Sequence, residues 1–259
     1  MNMKILVIGD SCSDIYKYRV CDRLDQEAPV PVFKEENEVI YEGMSLNVAN
    51  NVSSFGAICT LITNKKNINK IRYMDSRSNQ LVMRVDENDK VKRVSNLKKL
   101  NIEKYDAVIV SDYNKGFLSE NDMEYISEEA KLSFLQTNKI LSKWCENFDY
   151  IKLNVYEYSN TIQFISKDFL DSLNLIVTKG DKGASFKNKD YKIKKPVMTR
   201  SLAGAGDTFL AALVVSYLKN KNISKSIQFA QNASRIAVSE LGISVVGDQK
   251  NKKPKVIKN

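Results

Sequence analysis

Ser201-Leu202-Ala203-Gly204-Ala205-Gly206-Asp207-Thr208-Phe209-Leu210 is the stretch on which the reading of this chain turns. Two glycines flank a small alanine, and an aspartate follows at once. Phe209, Leu210, Leu213, Val214, Tyr217 and Leu218 then recur at helical spacing. A glycine-rich turn feeding a helix presents free backbone N–H groups and the positive end of the helix dipole, a combination that binds anions and above all phosphates. An aspartate in the first turn stands beside that anion, where it can take a proton from an attacking hydroxyl. The same residues also suit a plain tight turn with Asp207 as a helix cap.

Outward from this stretch, short apolar strands alternate with helices. Strands are expected at residues 3–9, 57–62, 105–110, 132–136, 150–153 and 173–178. Helices are expected at 46–55, 120–130, after Asn154 and at 223–239, with a short one between the strands near 132–136 and 150–153. Such alternation predicts an α/β fold with a mainly parallel central sheet and helices on both faces. Ligands in such folds lie at the C-terminal ends of the strands. Gly9-Asp10, Ser111-Asp112, Asn154 and Lys179-Gly180 all fall at those ends. Residues 14–41 carry short alternating stretches with Pro29 and Pro31, which suit edge strands. Together with a strand pair at 70–75 and 80–86, they predict a second, small sheet.

At 259 residues the chain suits one large domain with a substantial core. Its net charge is +9, but the lysines are dispersed or gathered in a tail at Lys250, Lys252, Lys253, Lys255 and Lys258. Nucleic-acid binding needs a localised basic face, so a solvated surface and attraction for small anions are the expectation. Cys12, Cys21, Cys59 and Cys145 have no metal-binding spacing, and the chain has no histidine. That argues against zinc and for free thiols in a reducing cytoplasm. The N-terminus enters a short strand without a long apolar leader, and no stretch has the length of a membrane span.

Gly204-Ala205-Gly206-Asp207-Thr208-Phe209 resembles the C-terminal signature of the ribokinase/PfkB family of carbohydrate kinases. Four further stretches resemble family motifs in the family's order: Ile5–Asp10 with Asp14, Gly43–Ala49, Asn154–Glu157 and Val177–Gly183. The resemblance covers about residues 3–247. Within the family, Glu27–Val32 and Ser111–Gly116 are similar to the branch that phosphorylates D-glycero-D-manno-heptose 7-phosphate at its anomeric hydroxyl. The resemblance implies a ribokinase-like three-layer sandwich over residues 1–249, a β-sheet lid from 14–41 and 70–86, and a basic tail at 250–259. It implies ATP and Mg²⁺ as cofactors and makes Asp207 the base, with Gly204, Ala205 and Gly206 as the anion hole. Asp14, Gly43 and Asn47 would bind the sugar, and Arg72, Arg84 and Lys115 its phosphate. Asn154, Thr178, Gly180, Gly183 and Asn232 would line the nucleotide site, with Glu157 reaching the metal through water. Two lids would pack into a homodimer, covering apolar residues such as Val30, Val32, Val39 and Val85.

The chain departs from that pattern in places. Met44 replaces a glycine, Ser201 an acidic residue and Ala203 a threonine. Gln136-Thr137-Asn138 stands where the branch has Asp-Pro-Lys or Asp-Thr-Lys. A loop and helix are absent between Gly56 and Lys70, and the adenylyltransferase domain sometimes fused to such kinases has no counterpart in these residues. Another sugar acceptor, or a silent homologue that only binds nucleotide or sugar phosphate, therefore stand as alternatives.

Overall fold

The computed structural model describes residues 3–193, 197–248 and 252–259. Strand β1 (Lys4–Gly9) starts the central sheet, and β2 (Ser11–Leu24) and β3 (Pro31–Met44) form a long hairpin that leaves it. Helix α1 (Ser45–Ser54) and β4 (Ile58–Thr63) return to the centre, and β5 (Ile68–Asp75) and β6 (Leu81–Glu87) leave it again. Strands and helices then alternate through β7 (Ala107–Asp112), α2 (Glu120–Glu129), β8 (Ser133–Thr137), β9 (Tyr150–Asn154), α3 (Val155–Thr161), α4 (Lys167–Ser172) and β10 (Leu175–Thr178). A hairpin of β11 (Ala184–Phe186) and β12 (Lys189–Tyr191) precedes α5 (Ala205–Asn220), α6 (Ile223–Val238) and β13 (Lys255–Lys258).

Among the described residues, these strands build a nine-stranded sheet in the order β12-β11-β10-β9-β8-β7-β1-β4-β13 and a four-stranded sheet in the order β3-β2-β5-β6. Across the large sheet from β10 to β13 every pairing is parallel, and antiparallel pairing is confined to the β11–β12 end. Parallel strands need both faces covered, and β1 shows how. Ile5 and Val7 point into a core with Phe209 and Leu213 of α5, while Leu6 and Ile8 point into a second core with Met123 and Ile126 of α2. Burying each such aliphatic side chain contributes roughly 1.5–3 kcal/mol. The result is the expected three-layer sandwich with a separate β-sheet lid.

Two expectations change in detail. In place of short pieces within residues 14–41, residues 11–44 hold two strands of 14 residues each. Register shifts at Tyr18/Arg19 and Cys21/Arg23 break the alternation, which hides the strands from a period-two reading. Pro31 opens β3 at the lid edge, where a missing N–H costs nothing. The expected basic tail is also partly a strand. Residues 250 and 251 lie outside the described residues, but Lys255–Lys258 pairs parallel with β4 and covers its outer edge. The shortened segment after Gly56 takes β4 directly to β5. Asn64 pins that crossing by accepting from the Ser11 N–H at 2.7 Å and donating to the carbonyls of Ser11 and Lys66.

Candidate active site

The N-terminus of α5 is the centre of the site. Gly204 precedes the helix with φ of 77°, a left-handed conformation, and no side chain caps the helix. A Cβ on Gly204 would stand 2.7 Å from Asn47 Nδ2, so only glycine lets the turn approach α1 so closely. Asp207 lies in the first turn and is 5% exposed. Its Oδ2 accepts from Asn47 Nδ2 at 3.1 Å, and its Oδ1 accepts from the Tyr113 hydroxyl. Burial raises the Asp207 carboxyl above its ordinary range, against the pull of Tyr113, Asn47, Lys152 and Lys70. A buried carboxylate of raised basicity is a competent proton acceptor. Tyr113 is itself pushed well above the ordinary phenol range, first by burial and then by Asp207, so it stays a donor.

Tyr113 is held by Asp10 at the end of β1. The buried Asp10 carboxylate accepts from the N–H groups of Tyr113 (2.8 Å), Lys115 (3.3 Å) and Phe117 (3.3 Å). Asp112, at the end of β7, accepts from Thr137 Oγ1 at 2.6 Å and pairs with Lys139 at 3.1 Å. The loop of residues 111–116 is thus fixed by carboxylates at two adjacent strand ends, the placement expected of a site in this architecture.

A mostly apolar cavity adjoins the other side of the α5 turn. Thr178, Gly180, Gly183, Leu202, Phe209, Gln231 and Val238 line it together with Ala205 and Gly206 of the α5 turn. Three of the expected nucleotide-side residues are therefore here, while Asn232 is not. Asn232 is exposed and accepts from Arg235, and its buried neighbour Gln231 takes the position in the wall. Asn154 and Glu157 cap α3 reciprocally: Glu157 N–H donates to Asn154 Oδ1 at 2.9 Å, and Asn154 N–H donates to Glu157 Oε2 at 2.7 Å. They face a separate hollow with Asn114 and Lys139. Glu157 is still near enough to act electrostatically on Lys152 and Tyr113. The box engages only one carboxylate oxygen, and among the described residues no group of three or more acidic, histidine or cysteine side chains is placed to hold a metal ion. A lone carboxylate fits Mg²⁺, which keeps its waters and shares phosphate oxygens.

The inner face of the lid completes the enclosure. Asp14 and Tyr16 of β2 lie opposite Lys70 and Arg72 of β5. Arg72 pairs with Asp14 and lies over the Tyr16 ring at 5.2 Å, and Lys70 lies over the Tyr113 ring at 5.3 Å. Burial lowers Lys70 from its ordinary range, and Arg84 and Lys115 push it the same way, which marks a convergence of cations. Arg84 is held by Asp86 at 2.7 Å and Lys115 by Asp89 at 2.5 Å. Gly43 sits where a Cβ would stand 2.7 Å from Cys12 Sγ. Met44 enters α1 with φ of 58° and buries its side chain against Cys12 and Ile68, not in open sugar space.

Residues 58–248 match the pfkB family carbohydrate kinase model. The chain belongs to this family. The bifunctional protein HldE of a Nitratiruptor species is 29% identical over 292 residues, covering 93% of this chain and 63% of that protein. HldE of Helicobacter acinonychis is also 29% identical, over 294 residues, with 92% and 63% covered. This chain thus spans less than two thirds of the length of those relatives. Among solved structures, ribokinase from Thermotoga maritima superposes with a TM-score of 0.73 at 17% identity, covering 96% of this chain and 97% of that one. Arabidopsis thaliana ribokinase complexed with ribose and ATP gives 0.72 at 13% identity, covering 98% and 96%. Both likenesses support the fold.

Within this pfkB chain, sequence reasoning missed Tyr113, Lys152, Gln136, Lys70 and Gln231. Lys152 carried a signal: it sits between Ile151 and Leu153 in a strand of the buried sheet, where a lysine needs a reason. Tyr113 and Gln136 lie in stretches compared with the heptose branch, but nothing local told their roles: Tyr113 donates to Asp207 and Gln136 bonds Tyr113 and Lys152, contacts that only the fold brings about.

Proposed function

We propose that this chain transfers the terminal phosphoryl group of ATP to the anomeric hydroxyl of a phosphorylated sugar, D-glycero-D-manno-heptose 7-phosphate. The observation that carries the reading is the buried, raised Asp207 at the uncapped N-terminus of α5, between an apolar cavity and a cationic lid face. The Glu27–Val32 and Ser111–Gly116 stretches, similar to the heptose branch, support the choice of sugar. The structure of Arabidopsis ribokinase with ribose and ATP supports the nucleotide.

In this reading the apolar cavity takes the base, with Thr178, Gly180 and Gly183 shaping its side. The phosphates run to α5, where the N–H groups of Ala205, Gly206 and Asp207 receive the transferring phosphoryl. Asp207 takes the proton of the attacking hydroxyl, and Asn47 and Tyr113 hold its carboxylate in place. Glu157, through water, and Asn154 would hold Mg²⁺ with the nucleotide, where the ion neutralises phosphate charge. The sugar phosphate meets Lys70, Arg72, Arg84 and Lys115. Arriving there, it competes with Asp14 for Arg72 and frees the Asp14 carboxylate for sugar hydroxyls. The unit that does this is residues 1–249 with β13 completing the sheet, working in the cytoplasm beside its nucleotide.

The lid also supports a homodimer. Asp14, Tyr16 and Arg72 face the body, so the intervening residues face away. On that outer face Ile40, Ile15, Ile71 and Val85 are cross-strand neighbours through all four strands. An apolar row of this kind is suited to meeting a second lid. It differs from the expected set, because Val39 pairs with Tyr16 and shares its body-facing side.

The reading is tested by comparing acceptors. Heptose 7-phosphate should exceed free heptose in kcat/KM by about 10²-fold or more, since several charge-assisted contacts of about 1.5–3 kcal/mol depend on the phosphate. Equal values would leave a generic sugar kinase.

A further inference from the structure

The apolar cavity beside the α5 turn is met by two polar side chains of α6 one helical turn apart, Gln231 and Arg235. Residues at i and i+4 share a helix face, so both belong to the same wall. Gln231 is 8% exposed, and its Nε2 donates to the Tyr191 carbonyl at the end of β12. The fold leaves room for that bond: a Cβ on Gly183, where φ is 95°, would stand 2.8 Å from Gln231 Nε2. With its donor end held on a carbonyl, the amide keeps its acceptor Oε1 for a donor from the cavity. Arg235 is half-buried, and its Nη1 donates to Asn232 Oδ1 at 3.1 Å. Among the described residues it forms no ion pair, and its buried Nε has no hydrogen-bond partner. A buried N–H without an acceptor is costly. Ser234 beside it is satisfied, since its hydroxyl donates to the Ala205 carbonyl at 2.9 Å.

One acceptor and one donor on the wall of a mostly apolar cavity match a flat, apolar ring whose edge carries one donor and one acceptor. Adenine has such an edge: its C6 amino group donates and the neighbouring N7 accepts. We propose that Arg235 and Gln231 read the nucleobase, with Arg235 Nε donating to N7 and Gln231 Oε1 accepting from the C6 amino group, and so select adenine over 6-oxopurines. This rests on the kinase reading of the site, in which the cavity takes the base. Guanine and hypoxanthine keep N7 but place an acceptor oxygen at C6. That oxygen would meet Gln231 Oε1 acceptor to acceptor and leave both unsatisfied, which is how a buried polar site rejects a near-isostere. Asn232 has a part in this arrangement from outside the wall, because it positions the guanidinium through Nη1.

Calorimetry with Mg-ADP, with Mg-IDP, whose base is hypoxanthine, and with Mg-7-deaza-ADP, which has C–H in place of N7, tests each contact separately. The unsubstituted protein should bind Mg-ADP about 10-fold or more tighter than either analogue, the worth of one hydrogen bond in a buried site. Arg235→Met keeps an apolar wall and removes the donor. It should bind Mg-ADP and Mg-7-deaza-ADP alike while still preferring Mg-ADP to Mg-IDP. Gln231→Met should lose the preference over Mg-IDP. It also loses the bond to Tyr191, so Arg235→Met carries the test if Gln231→Met does not fold. Equal affinity of the unsubstituted protein for Mg-ADP and either analogue, or a folded variant that keeps the discrimination assigned to its residue, would overturn the assignment and leave the kinase reading standing. Absence of any nucleotide binding by the unsubstituted protein would overturn both.

Discussion

In the proposed reaction Asp207 is the proton acceptor. Its position was legible, because a glycine turn, an aspartate and a helical apolar run are all local in sequence. Its environment was not, because Asn47 and Tyr113 reach it across 160 and 94 residues. Asp207→Asn keeps the size of the side chain and removes the proton acceptor, so turnover should fall by roughly 10²–10⁴-fold. The carboxyl holds its proton more tightly in the folded than in the unfolded chain. Its contribution to stability is therefore present at low pH and lost as pH rises through the folded pKa. At neutral pH the ionised form is a net cost to the fold, and thermal melts should show Asp207→Asn at least as stable as the unsubstituted protein. Tyr113→Phe removes a donor that holds the Asp207 carboxylate low, so the acid limb of the kcat/KM profile should move to higher pH. An unmoved limb would mean that Asp207 is not the titrating base. Glu157→Gln should raise the Mg²⁺ concentration needed for half-maximal rate, whereas an unchanged titration would reduce Asn154 and Glu157 to the helix cap they also form.

At the scale of elements, the alternation of strands and helices was readable because buried parallel strands are continuous apolar runs and their helices are amphipathic. The elements that escaped reading are those fixed by partners distant in sequence. Lys255–Lys258 is a short, lysine-flanked segment with no signal of its own, and it becomes a strand because β4 offers an open edge. The lid strands were fragmented on paper by bulges that only the pairing partner reveals. The role of β13 has a consequence for stability. A chain ending at Lys253 should lose about 1–3 kcal/mol and melt roughly 2–10 °C lower, with a rising aggregated fraction in light scattering as the β4 edge becomes available. An unchanged melt without aggregation would show that the edge needs no cover.

The whole molecule places three binding features around one helix end: an apolar cavity, an uncapped turn with its aspartate, and a lid face crowded with cations. The outer apolar row of the lid predicts a dimeric mass by light scattering at micromolar concentration, and a charged residue at Ile40 should return it to a monomer. A monomeric mass for the unsubstituted protein would leave that row without a partner of its own kind. In the proposed function a phosphoryl group passes from ATP to a sugar phosphate at this helix end. A ³¹P NMR time course with Mg-ATP and D-glycero-D-manno-heptose 7-phosphate tests it most directly. The γ-phosphate signal should disappear with matching growth of ADP and of a new phosphomonoester at the anomeric carbon. ADP appearing with free phosphate alone, or an unchanged spectrum, would contradict it.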